Sequence, residues 1–161
     1  MGWTKDEARD AAVEMLEGYG KDFEPSTITL AGAVAYHVVT NGHALVAVRA
    51  EAQADVFEPN SRDADISRLM AECKVAANTE VDAERLHNWT NGVGWGQILA
   101  MKLDRRILRT ALTIAAPSTM RIGTSGVTLY CRVDDDDAMI VMMGLKPDTV
   151  IPPVVFEMVD Q

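Results

Sequence analysis

The histidines and cysteines of this chain are the side chains that could bind a metal or act as nucleophiles. His37 and His43 are six residues apart, and His87, Cys73 and Cys131 lie at scattered positions farther along. Structural and catalytic zinc sites use closely spaced pairs of such residues, and none of those spacings occurs here. No local Ser-His-Asp or Cys-His arrangement and no nucleophile elbow is present. The sequence therefore predicts no metal, no cofactor and no enzymatic activity.

Two short runs are typical of ligand-binding loops but lack the residues around them that would complete a site. The glycine-rich run 91–96 has neither the Lys-Ser/Thr of a phosphate-binding loop nor the strand and spacing of a dinucleotide fingerprint. We expect Trp89 and Trp95 to fix it as a connecting loop. The run Asp134 to Asp137 could collect a divalent cation, and it is equally explained as a charged hairpin tip.

Basic side chains concentrate on one predicted helix. A strand over 98–103 is followed by Asp104, which can cap a helix that reaches Ala115 before Pro117 stops it. Its apolar face consists of Ile107, Leu108, Ala111, Leu112, Ile114 and Ala115. The opposite side carries cations that we expect to be exposed, namely Arg105, Arg106 and Arg109, with Lys102 just upstream.

The first predicted helix has the opposite charge. It runs from about Thr4 to Tyr19 and opens with Thr4 and Glu7 in the spacing of a capping box. Its apolar face comprises Ala8, Ala12, Met15, Leu16 and Tyr19. Its other face carries the carboxylates Asp6, Glu7, Asp10, Glu14 and Glu17. A solvated face that keeps the protein soluble is the simplest interpretation of this helix.

Three strands follow each of these helices. The first set covers 26–31, 33–40 and 42–50, and the second covers 118–123, 126–133 and 138–145. Asn41-Gly42 predicts a tight hairpin turn with positive φ at both positions. Between the sets lie a weak helix over 63–77 and a short helical patch over 82–89. An apolar extended tail begins at Pro147.

Length and charge limit the classes of protein to consider. The 161 residues suit one domain with a substantial core, and 48% of them are hydrophobic. A net charge of -9 argues against a protein that wraps nucleic acid with its whole surface, although a local basic patch remains possible. Two cysteines are too few for a disulfide framework, and no signal peptide or long apolar span is visible. We therefore expect a cytoplasmic protein without membrane contact.

The repeated order of a helix and three strands predicts an α+β domain with two helices on one face of an antiparallel sheet. Two segments then resemble one domain of the bacterial DNA polymerase sliding clamp. Residues 40–45, Thr-Asn-Gly-His-Ala-Leu, are similar to that family's Thr-Asp-Gly-His-Arg-Leu hairpin. Residues 140–144, Ile-Val-Met-Met-Gly, are similar to its closing Val-Val-Met-Pro-Met strand. Each segment falls at the end of its half of the chain.

The resemblance implies a DNA-clamp-like domain over 1–146, built from halves 1–51 and 98–146 that are related by an internal pseudo-two-fold. Residues 52–97 connect the halves, and 147–161 form a tail. In that family the two segments line an apolar pocket for the peptides of DNA polymerase and other partners. The resemblance places Thr40, His43 and Leu45 on one wall of this pocket and Ile140 and Met142 on the other. Ordinary core packing of the methionine strand is the alternative.

The resemblance also implies a homo-oligomer, because one domain is a fraction of a clamp ring. A six-membered ring of a phage-like type would share each pocket across a subunit boundary. Lys102, Arg105, Arg106 and Arg109 would contact the phosphates of double-stranded DNA. The alternative is an oligomeric structural or assembly protein, such as a virion component, that does not bind DNA. The acidic first helix and the apolar tail favour that alternative, and a small regulator that mimics a clamp domain is a weaker third.

Overall fold

The computed structural model describes residues 2–17, 23–52, 55–92, 94–98 and 101–146. Within these ranges the helices are α1 (Lys5–Leu16), α2 (Asp63–Ala76), α3 (Ala83–Trp89) and α4 (Arg105–Ala115). The strands are β1 (Ser26–Leu30), β2 (Val34–Thr40), β3 (Ala44–Arg49), β4 (Thr79–Val81), β5 (Trp95–Ile98), β6 (Met101–Asp104), β7 (Met120–Ser125), β8 (Thr128–Val133) and β9 (Ala138–Met143). The predicted tail 147–161 and residues 18–19 of the first predicted helix lie outside the described residues; α1 itself ends at Leu16, with Glu17 as its C-cap.

The main sheet has seven strands in the order β1-β2-β3-β9-β8-β7-β4, and every neighbouring pair is antiparallel. Two meanders, β1 to β3 and β7 to β9, meet at their last strands. The β3–β9 ladder at this junction extends from the pair Ala44–Met142 to the pair Val48–Ala138. The two segments that resemble the clamp family are therefore direct neighbours at the centre of one sheet. They do not lie at opposite rims of the domain.

Helices α1 and α4 pack side by side on one face of this sheet, as the sequence predicted. Thr4 caps α1 in a capping box with Glu7, which confirms the predicted start. The buried side of α1 comprises Ala8, Ala11, Ala12 and Met15, and that of α4 comprises Ile107, Leu108, Ala111 and Leu112. These side chains form one core with alternate residues of β3, β8 and β9. The fold is thus a mixed helical and antiparallel-sheet domain.

The predicted weak helix, α2, covers the opposite face of the sheet. Ile66, Met70 and Cys73 are its buried residues. They pack with Ala77 and with the other alternate set of strand residues, among them Tyr36, Val38, Leu45, Tyr130 and Val141. Because both faces are covered, the central strands are apolar at nearly every position. The domain consequently has three layers instead of the two that the sequence predicted.

Two local predictions need correction. The predicted strand over 98–103 is a hairpin, in which β5 and β6 pair from Trp95–Asp104 to Ile98–Met101. In the turn between β2 and β3, only Gly42 has positive φ among the described residues, at 87°. Asn41 instead lies buried, and its Oδ1 accepts hydrogen bonds from the backbone N–H groups of His43 and Ala44, each at 2.9 Å. Side-chain hydrogen bonding shapes this turn, so it does not need a second left-handed residue.

The insertion of α2, β4, α3 and the β5–β6 hairpin between the two meanders makes the halves of the chain unequal in content. The shared element order of the two meanders is evident in the sheet. An internal pseudo-two-fold relating them stays a prediction.

Candidate functional site

Helix α4 presents the predicted basic surface, and its local sequence explains where it begins and ends. Asp104 Oδ1 accepts a hydrogen bond from the backbone N–H of Arg106 at 2.9 Å, which caps the first turn. Ala116 is left-handed with φ 47°, and Pro117 follows it. Arg106 is exposed on this helix. Its guanidinium is therefore available to an anionic ligand.

Arg105 has a different environment, and the prediction that it is exposed is wrong. Its Cζ lies 4.6 Å from the centroid of the Trp89 ring, and its Nη1 donates to the Trp89 carbonyl at 3.4 Å. The guanidinium also fills the space beside two glycines, because a Cβ on Gly92 or Gly96 would overlap it. The glycine-rich run thus accommodates an arginine of its own chain. This accounts for the glycines without a bound phosphate.

Arg109 and Lys102 are also engaged within the fold. Arg109 is half-buried and donates from Nη1 to the carbonyl of Thr90 at 3.3 Å. Lys102 Nζ lies 5.6 Å from the centroid of the Trp95 ring. The expectation of full exposure is therefore wrong for Arg109 as well. Sequence reasoning missed these partners, although one tryptophan just before the glycine-rich run and another within it were the signal that could have indicated them.

The neighbouring helix α1 gives the shared helical face a mixed charge. Its two cations are drawn to one aromatic ring, with Lys5 Nζ at 5.0 Å and Arg9 Cζ at 5.5 Å from the Phe57 centroid. Its exposed carboxylates are Asp6, Glu7, Asp10, Glu14 and Glu17. An anionic ligand on this face would meet Arg106 on one helix and acidic side chains on the next.

The predicted peptide-pocket residues lie on two different faces of the sheet. Thr40 pairs with Leu45 across the hairpin, and Leu45 belongs to the core beneath α2. Ile140 and Met142 belong to the core beneath α1 and α4 and are fully buried. Successive strand residues point to opposite faces, so this pattern follows directly from the β3–β9 register. Leu45, Ile140 and Met142 are therefore buried in the two cores of one copy, so they do not line the two walls of the predicted pocket.

Three exposed apolar residues lie on or just beyond strands that are linked by backbone hydrogen bonds to the predicted hairpin or to one another. The backbone N–H of Met143 donates to the carbonyl of His43 at 2.9 Å. Two residues on, Leu145 and Lys102 exchange backbone hydrogen bonds of 2.9 and 2.8 Å, which joins the end of β9 to β6. Trp95, Met143 and Leu145 are 48, 50 and 52% exposed. We call these three residues the Trp95 patch.

The Trp95 patch was only partly visible in the sequence. Met143 stood inside the segment that resembles the clamp family's closing strand. Trp95 and Leu145 became its neighbours only through the β5–β6 hairpin and its bridge to the end of β9.

The aspartates of the run Asp134 to Asp137 make hydrogen bonds within the domain. Asp134 Oδ1 accepts hydrogen bonds from the backbone N–H groups of Ser118 and Thr119 at 2.9 and 2.7 Å. Asp136 receives two hydrogen bonds from Arg132, at 2.7 and 3.0 Å. These contacts agree with the interpretation of Asp134 to Asp137 as a hairpin tip. Among the described residues, no three His, Cys, Asp or Glu side chains are grouped as a metal ion would require.

Both thiols are buried in the core. Burial raises the pKa of Cys73 to about 12, and burial also holds the pKa of Cys131 well above its ordinary value. Thiols with raised pKa values stay protonated at neutral pH and are poor nucleophiles.

Solved structures with this architecture are bacterial sliding clamps. The DNA polymerase III subunit beta of Borrelia burgdorferi, in complex with a natural product, matches with a TM-score of 0.52 at 10% sequence identity. The fold is that of a sliding clamp. The match covers 91% of this chain and 64% of the clamp chain, so the protein spans less than two thirds of that structure's length. The resemblance inferred from the two short segments is confirmed at the level of the fold.

Two further clamp structures match less well. The Pseudomonas aeruginosa sliding clamp bound to griselimycin has a TM-score of 0.49 at 11% identity, over 91% of this chain and 65% of the clamp chain. Another structure of the beta subunit from that organism has a TM-score of 0.49 at 10% identity, with 91% and 66% covered. No protein-family model and no curated protein matches the sequence. Within the described residues, no helix is long and apolar enough to cross a bilayer.

Proposed function

We propose that this protein is a non-enzymatic clamp-like processivity and docking factor for a DNA polymerase. The observation that carries the proposal is the pairing of α1 and α4 on one face of a continuous antiparallel sheet, in the fold of a sliding clamp. Such a scaffold presents helices to one side and sheet edges to its neighbours. Its function would be to hold a partner near DNA, which requires surfaces for binding and no catalytic groups.

The proposed assembly is a homo-oligomeric ring around duplex DNA. One copy supplies one such domain, so several copies would be needed to enclose a duplex. The sheet ends in two edge strands, β1 and β4, that could pair with the edges of neighbouring copies. A head-to-tail contact of this kind closes into a ring when its rotation allows. Six copies is the number first expected from the family, and a mass measurement gives the count directly.

The proposed DNA contacts are Arg106, supported by Lys102, Arg105 and Arg109. Arg106 is the exposed arginine of α4, while Arg105 and Arg109 offer only the parts of their guanidinium groups not used by Trp89 and Thr90. Carboxylates on α1 would offset part of the attraction. We therefore expect weak, strongly salt-dependent contact with phosphates, in which enclosure by the ring contributes more to retention than affinity does.

The proposed partner-peptide surface is the Trp95 patch with His43 at its rim. Exposed methionine, leucine and tryptophan side chains give an adaptable apolar surface for an extended peptide. Thr40 and Leu45 would support this surface through the β2–β3 hairpin. Ile140 and Met142, which are buried beneath α1 and α4, would contribute indirectly by keeping β9 in register with β3.

Retention on DNA circles of a single size tests the clamp proposal. Native mass spectrometry would give the mass of the oligomer. The oligomer would then be assembled on nicked circular duplex DNA, and the circle would be linearised. A sliding ring stays on the circle and leaves the linear molecule. Arg106→Glu should reduce retention, while Arg68→Glu, an equal charge change on α2, should not. A monomer, or retention unaffected by linearisation, contradicts the proposal.

An assembly protein that does not bind DNA is the second candidate. The observation that favours it is the capture of Arg105 and Arg109 by backbone carbonyls beside an acidic α1. On this alternative, the same mass measurement would give a ring or sheet. Its size would not change with DNA, and neither Arg106→Glu nor linearisation would alter it.

A further inference from the structure

His37 is a buried titratable group that the proposed function does not use. It lies in β2, fully buried, between Thr27 of β1 and Val48 of β3. Its ring meets Phe57 edge-on, with centroids 5.3 Å apart and an interplanar angle of 76°. Its Nδ1 shares a hydrogen bond of 3.0 Å with the Thr27 hydroxyl. Its Nε2 has no hydrogen-bond partner among the residues that the structure describes.

The unpartnered Nε2 suits a neutral ring and disfavours a charged one. Thr27 Oγ1 also accepts the backbone N–H of Phe57 at 2.9 Å. A neutral imidazole can complete this arrangement in either tautomer, by donating from Nδ1 or by accepting the hydroxyl proton there. An imidazolium carries protons on both nitrogens. Its Nε2–H would then be a buried, charged donor facing no acceptor, which costs more than a neutral orphan.

The charges on the packed elements add to this cost. Lys5 and Arg9 of α1 stand over the Phe57 ring that covers His37. Of these, Arg9 is paired with the exposed Asp6 at 3.3 Å, whereas β1 and β3 contribute the uncharged Thr27 and Val48 on either side of His37. Glu51 and Asp55 line, with Lys5 and Arg9, a cleft at the surface. The charged side chain that acts on the His37 ring is the positive Lys5.

We propose that His37 is an acid-sensitive latch, whose protonation releases Phe57 and the N-terminal half of α1 from the sheet. Phe57 and Asn60 are joined to β1 through Thr27 and Ser26, at 2.9 and 2.8 Å. Release of this segment would also remove two hydrogen bonds to side chains of β1, an edge strand of the main sheet. Acid would therefore change the surface available for strand pairing with another copy. The latch is independent of whether the protein encloses DNA.

The pH range follows from the direction of the pKa shift. Burial, and secondarily Lys5, lower the pKa of His37 below the ordinary 6.5. The stabilisation is then complete above the pKa of the unfolded chain, and it is lost as pH falls from that value through the folded-state pKa. Each pKa unit of depression allows up to about a tenfold change in the population of the released state.

Hydrogen exchange measured by mass spectrometry at about pH 7.5 and about pH 5 tests the latch. After correction for the intrinsic pH dependence of exchange, amides of residues 4–12 and 55–60 should exchange faster at the lower pH. Amides of β8 and β9 should not. Equal protection of 4–12 and 55–60 at both values would overturn the proposal.

His37→Gln is the decisive variant, because glutamine can keep a hydrogen bond to Thr27 and does not titrate. Its acid response should disappear, and persistence of the full response would show that another group is responsible. Lys5→Gln and its charge-preserving control Lys5→Arg keep the test valid if His37→Gln folds poorly. Lys5→Gln should bring the pKa of His37 closer to 6.5 and shrink the response, and Lys5→Arg should not. Equal responses in those two variants would overturn the role of α1.

Discussion

The guanidinium carbon of Arg105 lies 4.6 Å above the indole ring of Trp89, and this contact joins the start of α4 to the end of α3. Gly92 and Gly96 leave the room that the guanidinium occupies. One arginine thereby fixes the glycine-rich run against the helix that carries the basic surface. Because Arg105 is held in this way, it is less available to phosphates. Together with the carboxylates of α1, this is why the proposed DNA affinity should be modest.

A double-mutant cycle tests this arrangement. Gly92→Ala should destabilise the protein by about 1–3 kcal/mol, because the added Cβ would overlap the Arg105 guanidinium. In an Arg105→Ala background the same substitution should cost less, since the space is empty. Urea unfolding of the four proteins gives the coupling free energy. Additive costs would show that Arg105 does not occupy this space in solution.

The adjacent arginines of α4 should differ in their effects on stability. Arg105→Gln removes the stacking on Trp89 and the hydrogen bond to its carbonyl, and we expect a loss of about 1–2 kcal/mol. Arg106→Gln changes an exposed side chain and should stay within about 0.5 kcal/mol of the parent. Thermal unfolding followed by circular dichroism makes the comparison. Equal losses would contradict the assignment of Arg105 to the fold and Arg106 to the surface.

The β2–β3 turn should depend on the amide of Asn41. Its buried Oδ1 accepts two backbone hydrogen bonds, so Asn41→Ala leaves two donors without partners and should cost about 1–3 kcal/mol. Asn41→Asp retains an acceptor at the same position and should cost less. Asn88→Ala, at an exposed position on α3, is the matched control. Denaturant titration of the three variants gives the order, and a tolerated Asn41→Ala would refute the role of the amide.

Elements governed by local chemistry could be predicted from the sequence. The capping box at Thr4 and the helical spacing of the apolar residues defined α1, and Asp104 with Pro117 defined α4. The six strands of the two meanders were predicted to within about two residues, whereas β4 was missed and β5 and β6 were predicted as one strand. The fold class then followed from two helices and two sets of strands.

Features that depend on distant partners could not be predicted. Arg105 meets Trp89 sixteen residues earlier in the chain, and spacing along a helix says nothing about that contact. The closing strand Ala-Met-Ile-Val-Met-Met is apolar throughout because α2 covers its second face. Without alternation of polar and apolar residues, its sequence does not reveal which side chains face which layer. The resemblance to the clamp family predicts a pocket wall at Ile140 and Met142, and no alternation in the strand indicates that both lie in the core.

The Arg132–Asp136 pair predicts an acid-sensitive contribution of a different origin from His37. Two hydrogen bonds from Arg132 hold the pKa of the Asp136 carboxyl below its ordinary 3.8. Since the folded-state pKa is lowered, this stabilisation is present above the pKa of the unfolded chain and lost as pH falls through the folded value. Asp136→Asn should remove this part of the acid dependence in urea titrations between about pH 5 and pH 2. An unchanged slope in that range would exclude the pair as its source.

Substitutions at Met142 in β9 and at Leu145 just beyond it should separate folding from partner binding. Met142 is 1% exposed, so Met142→Ala should create a cavity and cost about 2–5 kcal/mol. Leu145 is half exposed, and Leu145→Ser should change stability little while it weakens binding of an apolar peptide at the Trp95 patch. Val75→Ser, at an exposed apolar position on α2, is the matched control for Leu145→Ser and should leave binding intact. Calorimetric unfolding measures the first effect. Titration with a fluorescent, extended apolar peptide measures the second, and binding that survives Leu145→Ser would place the partner surface elsewhere on the domain.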